Sequence, residues 1–244
     1  LEDVVPTYIP QPPRAVFVDA GGVLVLPNFE LLQKHFQLIA GFEELYHAFF
    51  RAFEQRDDSR AECEWLWDAF VAEFDVDNAE ALLKPLRSLE IDPWRSSCIA
   101  APHASDFLRA LHAASIPSIV VSNAEGTVGK MLNDAGVCQV GEGPLSPVEF
   151  VIDSHHVGVR KPHPGIFRIA REALNARRLD NDAIELTEIV HIGDALWSDV
   201  DGATRAGIAV IHLDPERSCR DRNAHAHADS LPHALAMMGI EHAK

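Results

Sequence analysis

The stretch Ala15-Val16-Phe17-Val18-Asp19-Ala20-Gly21-Gly22-Val23-Leu24 decides how the chain is read. Four consecutive apolar residues, two of them Val, suit a strand buried on both faces, as in a parallel sheet covered by helices. An Asp then stands at the carboxyl end of that strand, where open α/β sheets bind their ligands. Gly21 and Gly22 let backbone come close to such a ligand. A carboxylate placed there can attack phosphorus and split one hard hydrolysis into two steps. The same residues also describe an ordinary turn, so the rest of the chain must decide.

Further apolar runs lie at residues 118–121, 149–152, 188–192 and 208–213, their core positions rich in Val and Ile. Helical patterns fall between them, at 105–114 with Phe107, Leu108 and Leu111, and at 164–174 with Ile166, Phe167, Ile169, Ala170 and Leu174. This βαβα alternation predicts an α/β fold, a doubly wound, Rossmann-like parallel sheet. About a hundred residues separate the first two strands, far more than one crossover needs. Within them Phe42, Leu45, Tyr46, Phe49, Phe50 and Phe53 form one amphipathic stripe, and Leu66, Trp67, Phe70, Val71 and Phe74 another. The expected organisation is a catalytic core over 14–27 and 99–244 with a helical domain inserted at 28–98. The inserted aromatics, Trp65, Trp67 and Trp94 included, read as packing.

Three later strand ends carry polar residues suited to the same chemistry. The second runs into Ser122-Asn123, a hydroxyl and an adjacent backbone N–H able to hold a phosphoryl oxygen. After the third comes Gly158-Val159-Arg160-Lys161-Pro162-His163-Pro164, with a Lys before a Pro-framed helix start. Its charge suits a phosphate dianion and would keep a neighbouring carboxylate ionised; a surface lysine is the alternative. The fourth runs into His191-Ile192-Gly193-Asp194-Ala195-Leu196-Trp197-Ser198-Asp199-Val200-Asp201. Hard oxygen ligands there suggest Mg2+, which takes one or two protein carboxylates and fills its octahedron with water and substrate. Asp201 reads as a helix cap. Glu125 and Gly126 read as the start of a helix, and Trp197 receives no role.

Together the four segments resemble the haloacid dehalogenase superfamily. Its signatures are D-x-D-G-T/V-L, a strand ending in Ser or Thr, K-P, and G-D-x-x-x-x-D, and they follow here in order from residue 15 to about 214. The inserted helical domain matches that family's C1 cap. The resemblance implies an Mg2+-dependent phosphatase that cleaves a small phosphorylated metabolite through an aspartyl-phosphate. Asp19 would be the nucleophile and Ser122 a phosphate ligand, with Asn123 and Gly22 beside it. Lys161 would steady both, Asp194 would ligate the metal with Asp199 in support, and the Gly21 carbonyl would be a further ligand.

The pattern departs at Gly21, where the family's phosphatases usually carry a second Asp as general acid and base. Losing such a group typically costs about 10^2 to 10^4 in rate. A good leaving group, a substitute in the cap (Glu30, His35 or His47), or a different reaction would account for it. Dehalogenases of the superfamily lack the second Asp too, but their fourth motif tends to lose the carboxylate kept here as Asp194. Phosphonate hydrolases use a cap lysine, for which the candidates are Lys34 and Lys84. A catalytically silent binding protein is a further alternative, though it has no need of a nucleophile.

Composition narrows the partners. With 37 acidic residues against 21 Lys and Arg among 244, the formal charge is -16, which repels nucleic acid and anionic membranes. No run approaches a membrane span, and Glu2 and Asp3 stand where a signal peptide would be basic, so a cytoplasmic location is expected. Cys63, Cys98, Cys138 and Cys219 are widely spaced and read as buried thiols. His225, His227 and His233 resemble a metal cluster but lack convincing ligand spacing, and they read as surface histidines before a final helix. A monomer and a homodimer are equally compatible.

Overall fold

The computed structural model describes residues 8–55, 62–94, 98–219 and 224–241. Glu2, Asp3 and the side chain of Cys63 lie outside the described residues. The chain divides into two compact units, Leu1–Val25 with Ala100–Lys244, and Leu26–Ile99.

The first unit is built on a six-stranded sheet: β1 (Ala15–Val18), β2 (Ser118–Ser122), β3 (Phe150–Asp153), β4 (Ile189–Gly193), β5 (Ala209–Leu213) and β6 (Ala226–Ala228). All neighbours are parallel, in the order β6-β5-β4-β1-β2-β3. Strand order therefore reverses between β1 and β4, the topological switch point at which doubly wound sheets open a crevice for ligands. The apolar runs are continuous because both faces are covered. On one face Phe17, Ile119, Val121, Ile152, Ile189 and Val210 pack against Ile166, Phe167, Ala170 and Leu174 of the helix Gly165–Asn175 and against Val200, Ala203 and Ala206. The alternate residues Val16, Val18, Val120, Val190, Ile192 and Ile211 are buried as well. The helix Ala104–Ala113 buries Phe107, Leu108 and Leu111.

Local departures from the sequence reading have simple causes. β2 and β3 continue through Ser122 and Asp153, which pair in register, because the ladder does not stop at the last apolar residue. The sequence pattern does not signal β6, because Ala226-His227-Ala228 has none of the Val, Ile, Thr, Phe, Tyr or Trp residues that favour strands. No helix begins at Glu125-Gly126; it starts at Val128, and the Gly126 and Val128 N–H groups donate to the Asp153 carboxylate.

The second unit contains the helices Phe29–Phe36, Phe42–Glu54, Glu62–Val71 and Ala79–Arg87. Asn28 caps the first by accepting from the Leu31 N–H. Leu32, Phe49, Leu66, Phe70, Leu83 and Leu86 form its core, with Trp65 and Trp67 buried and the Phe49 ring 5.8 Å from that of Trp94. These aromatics pack, as their spacing predicts. Among the described residues no helix is long and apolar enough to cross a membrane.

Phe167 links core to chemistry, since its buried ring lies 4.9 Å from the His191 ring. Phe167→Ala is expected to cost about 3–5 kcal/mol in a denaturant titration through the cavity left behind.

Candidate active site

Asp19, Ser122 and Asp194 sit at or just past the carboxyl ends of β1, β2 and β4. The Asp19 N–H donates to the Ile192 carbonyl at 2.9 Å, which brings the ends of β1 and β4 together. Lys161 enters from the loop after β3, and its ammonium is almost fully buried. Lys161 Nζ lies 2.9 Å from Asp19 Oδ1 and 2.6 Å from Asp199 Oδ1. Asn123 fixes the lysine's backbone from the end of β2: its Nδ2 donates to the Lys161 carbonyl at 2.9 Å and its Oδ1 accepts the Lys161 N–H at 2.8 Å. The Asn123 side chain is thus committed to Lys161, and any contact it makes with phosphate is left to its backbone.

Asp199 stands within a wide π-helical turn, Leu196–Val200, which carries the chain from β4 into the helix Asp201–Ala206. One carboxylate oxygen accepts from Lys161 and from His191 Nε2 at 2.9 Å; the other accepts from the Ala195 N–H and the Ser198 hydroxyl, both at 3.2 Å. With both oxygens engaged, Asp199 chiefly orients Lys161. His191 had no role in the sequence reading. An isolated His in an otherwise apolar strand was the only signal available. Asp201 does not cap the helix that follows: it is the first residue of that helix, Val200 stands at the cap position, and no side chain caps it, because the π-helical turn runs straight into the helix.

Two glycines are required by the carboxylates. Gly22 has φ +74°, and a Cβ on it would fall 1.9 Å from Asp194 Oδ2. A Cβ on Gly193 would fall 2.2 Å from Asp199 Cγ. Gly22 therefore seats the Asp194 carboxylate as well as bordering Asp19. One oxygen each from Asp19, Asp194 and Asp199 fall within 4.8 Å of one another.

Three buried carboxylates beside one ammonium form an unbalanced group. Burial, then the charges of Asp19 and Asp199, push Asp194 well above the usual carboxylate range. Burial raises Asp19 too, and Lys161 only partly offsets it. For Asp199 the Lys161 charge and the His191 hydrogen bond outweigh burial and hold it below that range. Burial works against the Lys161 ammonium, but Asp19 and Asp199 keep it charged. Asp194 Oδ2 is buried and accepts no hydrogen bond from the described residues.

The remaining candidates fall in the second unit. Glu30, His47, Lys34 and Lys84 are exposed on it. His35 Nε2 lies 2.6 Å from the Leu82 carbonyl, so this histidine joins two of its helices. The expectation of surface histidines holds for His233, which is exposed, and fails for His225 and His227, which are half-buried beside the buried His212 and Cys219.

Comparison with known proteins shows the family and the fold. The haloacid dehalogenase-like hydrolase family matches residues 13–207, and the chain belongs to that family. It is a hydrolase by that membership. A glyceraldehyde 3-phosphate phosphatase of Pyrococcus abyssi is 38% identical over 63 residues, 26% of this chain and 23% of that protein. The match thus spans about a quarter of the curated relative's length. Among solved structures, a dehalogenase with an intermediate complex superposes with TM-score 0.62 at 14% identity, covering 96% of this chain and 100% of the other. A haloacid dehalogenase-type phosphatase from Thermococcus onnurineus gives TM-score 0.58 at 22% identity, covering 94% of this chain and 100% of the other. These likenesses show the fold.

The charge imbalance has a measurable sign. Because burial and neighbouring charge push the folded-state pKa of Asp194 above its ordinary 3.8, the contribution of Asp194 to stability falls as pH rises past that value. In chelator, Asp194→Asn should therefore melt higher than the parent at neutral pH, and the two should converge as pH is lowered toward 3.8. Lys161→Met should do the opposite, costing about 3–5 kcal/mol by leaving buried carboxylates uncompensated.

Proposed function

We propose that this hydrolase is an Mg2+-dependent phosphatase that cleaves a small phosphate monoester through an aspartyl-phosphate on Asp19. The observation that carries this reading is the burial of Asp19, Asp194 and Asp199 together with the Lys161 ammonium at the switch point of the sheet. A nucleophilic carboxylate needs a cationic partner, and a phosphate dianion arriving beside three carboxylates needs more positive charge than one lysine supplies.

The donor set fits a magnesium ion. Asp194 Oδ2 is buried without a hydrogen-bond donor among the described residues, and its carboxyl is raised by burial and then by the charges of Asp19 and Asp199, which a divalent cation would offset. Asp19 and Asp194 would hold it, with the Gly21 carbonyl as a further ligand and Asp199 in support. Bound there, Mg2+ supplies charge neutralisation for the phosphoryl group.

The residues of the chain divide the remaining work. An Asp19 oxygen attacks phosphorus as the bond to the leaving alcohol oxygen breaks, and that oxygen takes a proton from water. A second water then attacks the aspartyl-phosphate, releasing inorganic phosphate and restoring the carboxylate. Lys161 holds Asp19 in its ionised, oriented form and draws on the phosphoryl oxygens, while Ser122 and the backbone at Asn123 and Gly22 receive them. The helical unit acts as the cap that selects the substrate.

Gly21 leaves the leaving group without a positioned acid. Rates should then fall steeply as the leaving alcohol becomes more basic, with acyl phosphates and sugar 1-phosphates favoured over simple alkyl esters. A panel from p-nitrophenyl phosphate to sugar phosphates should show turnover that EDTA removes and Mg2+ restores. Asp19→Asn should lower it by on the order of 10^4-fold or more. Absence of turnover on every ester, with folded protein and added metal, would favour a silent binding protein.

A further inference from the structure

Four side chains of metal-ligating type converge beside the Asp194 backbone, outside the acidic site. β5 and β6 pair in parallel with His212 opposite His227, so the two imidazoles leave the sheet on one face. His225, two residues before His227, joins them on that face. The fourth member comes from the loop after β5. There the Asp214 carboxylate accepts from the Ser218 N–H at 3.0 Å and the Cys219 N–H at 3.3 Å, turning Cys219 back toward the histidines.

The result is a compact group. The His225 and His227 ring centroids are 4.3 Å apart, and each lies 5.3 Å from that of His212. His225 Nε2 lies 3.4 Å from His212 Nδ1 and 3.8 Å from Cys219 Sγ. One nitrogen or sulfur from each of the four residues falls within 4.8 Å of all the others, and His212 and Cys219 are buried.

A second observation concerns the tautomer of His212. Its Nε2 lies 3.0 Å from the Asp194 backbone carbonyl, a pure acceptor, so Nε2 carries the proton. Nδ1 then presents its lone pair to the centre of the group. A ligating histidine is typically fixed in this way, donating its other N–H to a backbone carbonyl or carboxylate.

We propose that His212, Cys219, His225 and His227 bind one structural Zn2+ ion. Three imidazoles and one thiolate match the borderline-soft character of zinc and its tetrahedral preference. Bonds of about 2.0–2.3 Å place tetrahedral ligands about 3.3–3.8 Å apart, so the group needs to contract by only about an ångström. Four protein ligands leave no open position, which makes the site structural. On binding, Cys219 gives up its thiol proton to solvent as the sulfur–zinc bond forms. The ion would tie the edge strand β6 to β5 and, through His212, hold the Asp194 backbone at the rim of the acidic site.

The test uses the full chain without a histidine tag. Protein from zinc-supplemented cells, dialysed and analysed by elemental mass spectrometry, should hold about one zinc per chain. The Asp19→Asn/Asp194→Asn double variant should retain it, and Cys219→Ala and His225→Ala should lose it. Cobalt substitution should give thiolate-to-metal charge-transfer absorption in the parent and none in Cys219→Ala. Chelator-stripped parent should take Zn2+ back from a chromogenic indicator and melt several degrees higher, a measurement that decides the matter if the variants do not fold. Equal zinc in parent and variants would overturn the proposal, as would folded parent that neither carries zinc nor takes it up.

Discussion

The buried ammonium of Lys161 is the constraint around which the catalytic unit is organised. A charge removed from water is tolerated only with partners in good geometry, and Asp19 and Asp199 supply them at 2.9 and 2.6 Å. Each partner is itself fixed from another part of the sheet. Asp19 hangs from β1 and hydrogen-bonds to β4; Asp199 is held by His191 of β4 and by the turn that follows; the lysine's own backbone is held by Asn123 at the end of β2. One cation thus joins the ends of β1, β2 and β4, and the loop after β3, in a single hydrogen-bonded group.

The same arrangement leaves negative charge in excess, and the excess falls mainly on Asp194. Functional sites commonly hold charge that the fold alone would not choose. Position 21, where the family's phosphatases usually carry a second Asp, is Gly.

Much of this was legible in the sequence because it depends on short range. A parallel strand buried on both faces must be continuously apolar, and its end must be polar where the ligand crevice opens, so Asp19, Ser122 and Asp194 could be found from pattern alone. The order of the motifs then identified the superfamily. The inserted helices were legible from their aromatic stripes, and the burial of Phe49 and Phe70 follows from them. The edge strand β6 was not, because its three residues carry no strand preference and form a strand only by pairing with β5.

By itself, then, the chain's sequence determined the doubly wound fold, the helical insertion and the residues that meet at the switch point. Tertiary structure decided how those residues divide their work. Asn123 proved to be committed to the lysine backbone, Asp199 to Lys161 and His191, and Gly22 to the seat of Asp194. It also brought His212 and Cys219 to His225 and His227, which looked like surface residues when read in line. The reason is physical: hydrophobic periodicity is a local property of the chain, whereas a side chain's partners depend on strand register and on loops that turn back, which residue spacing does not encode.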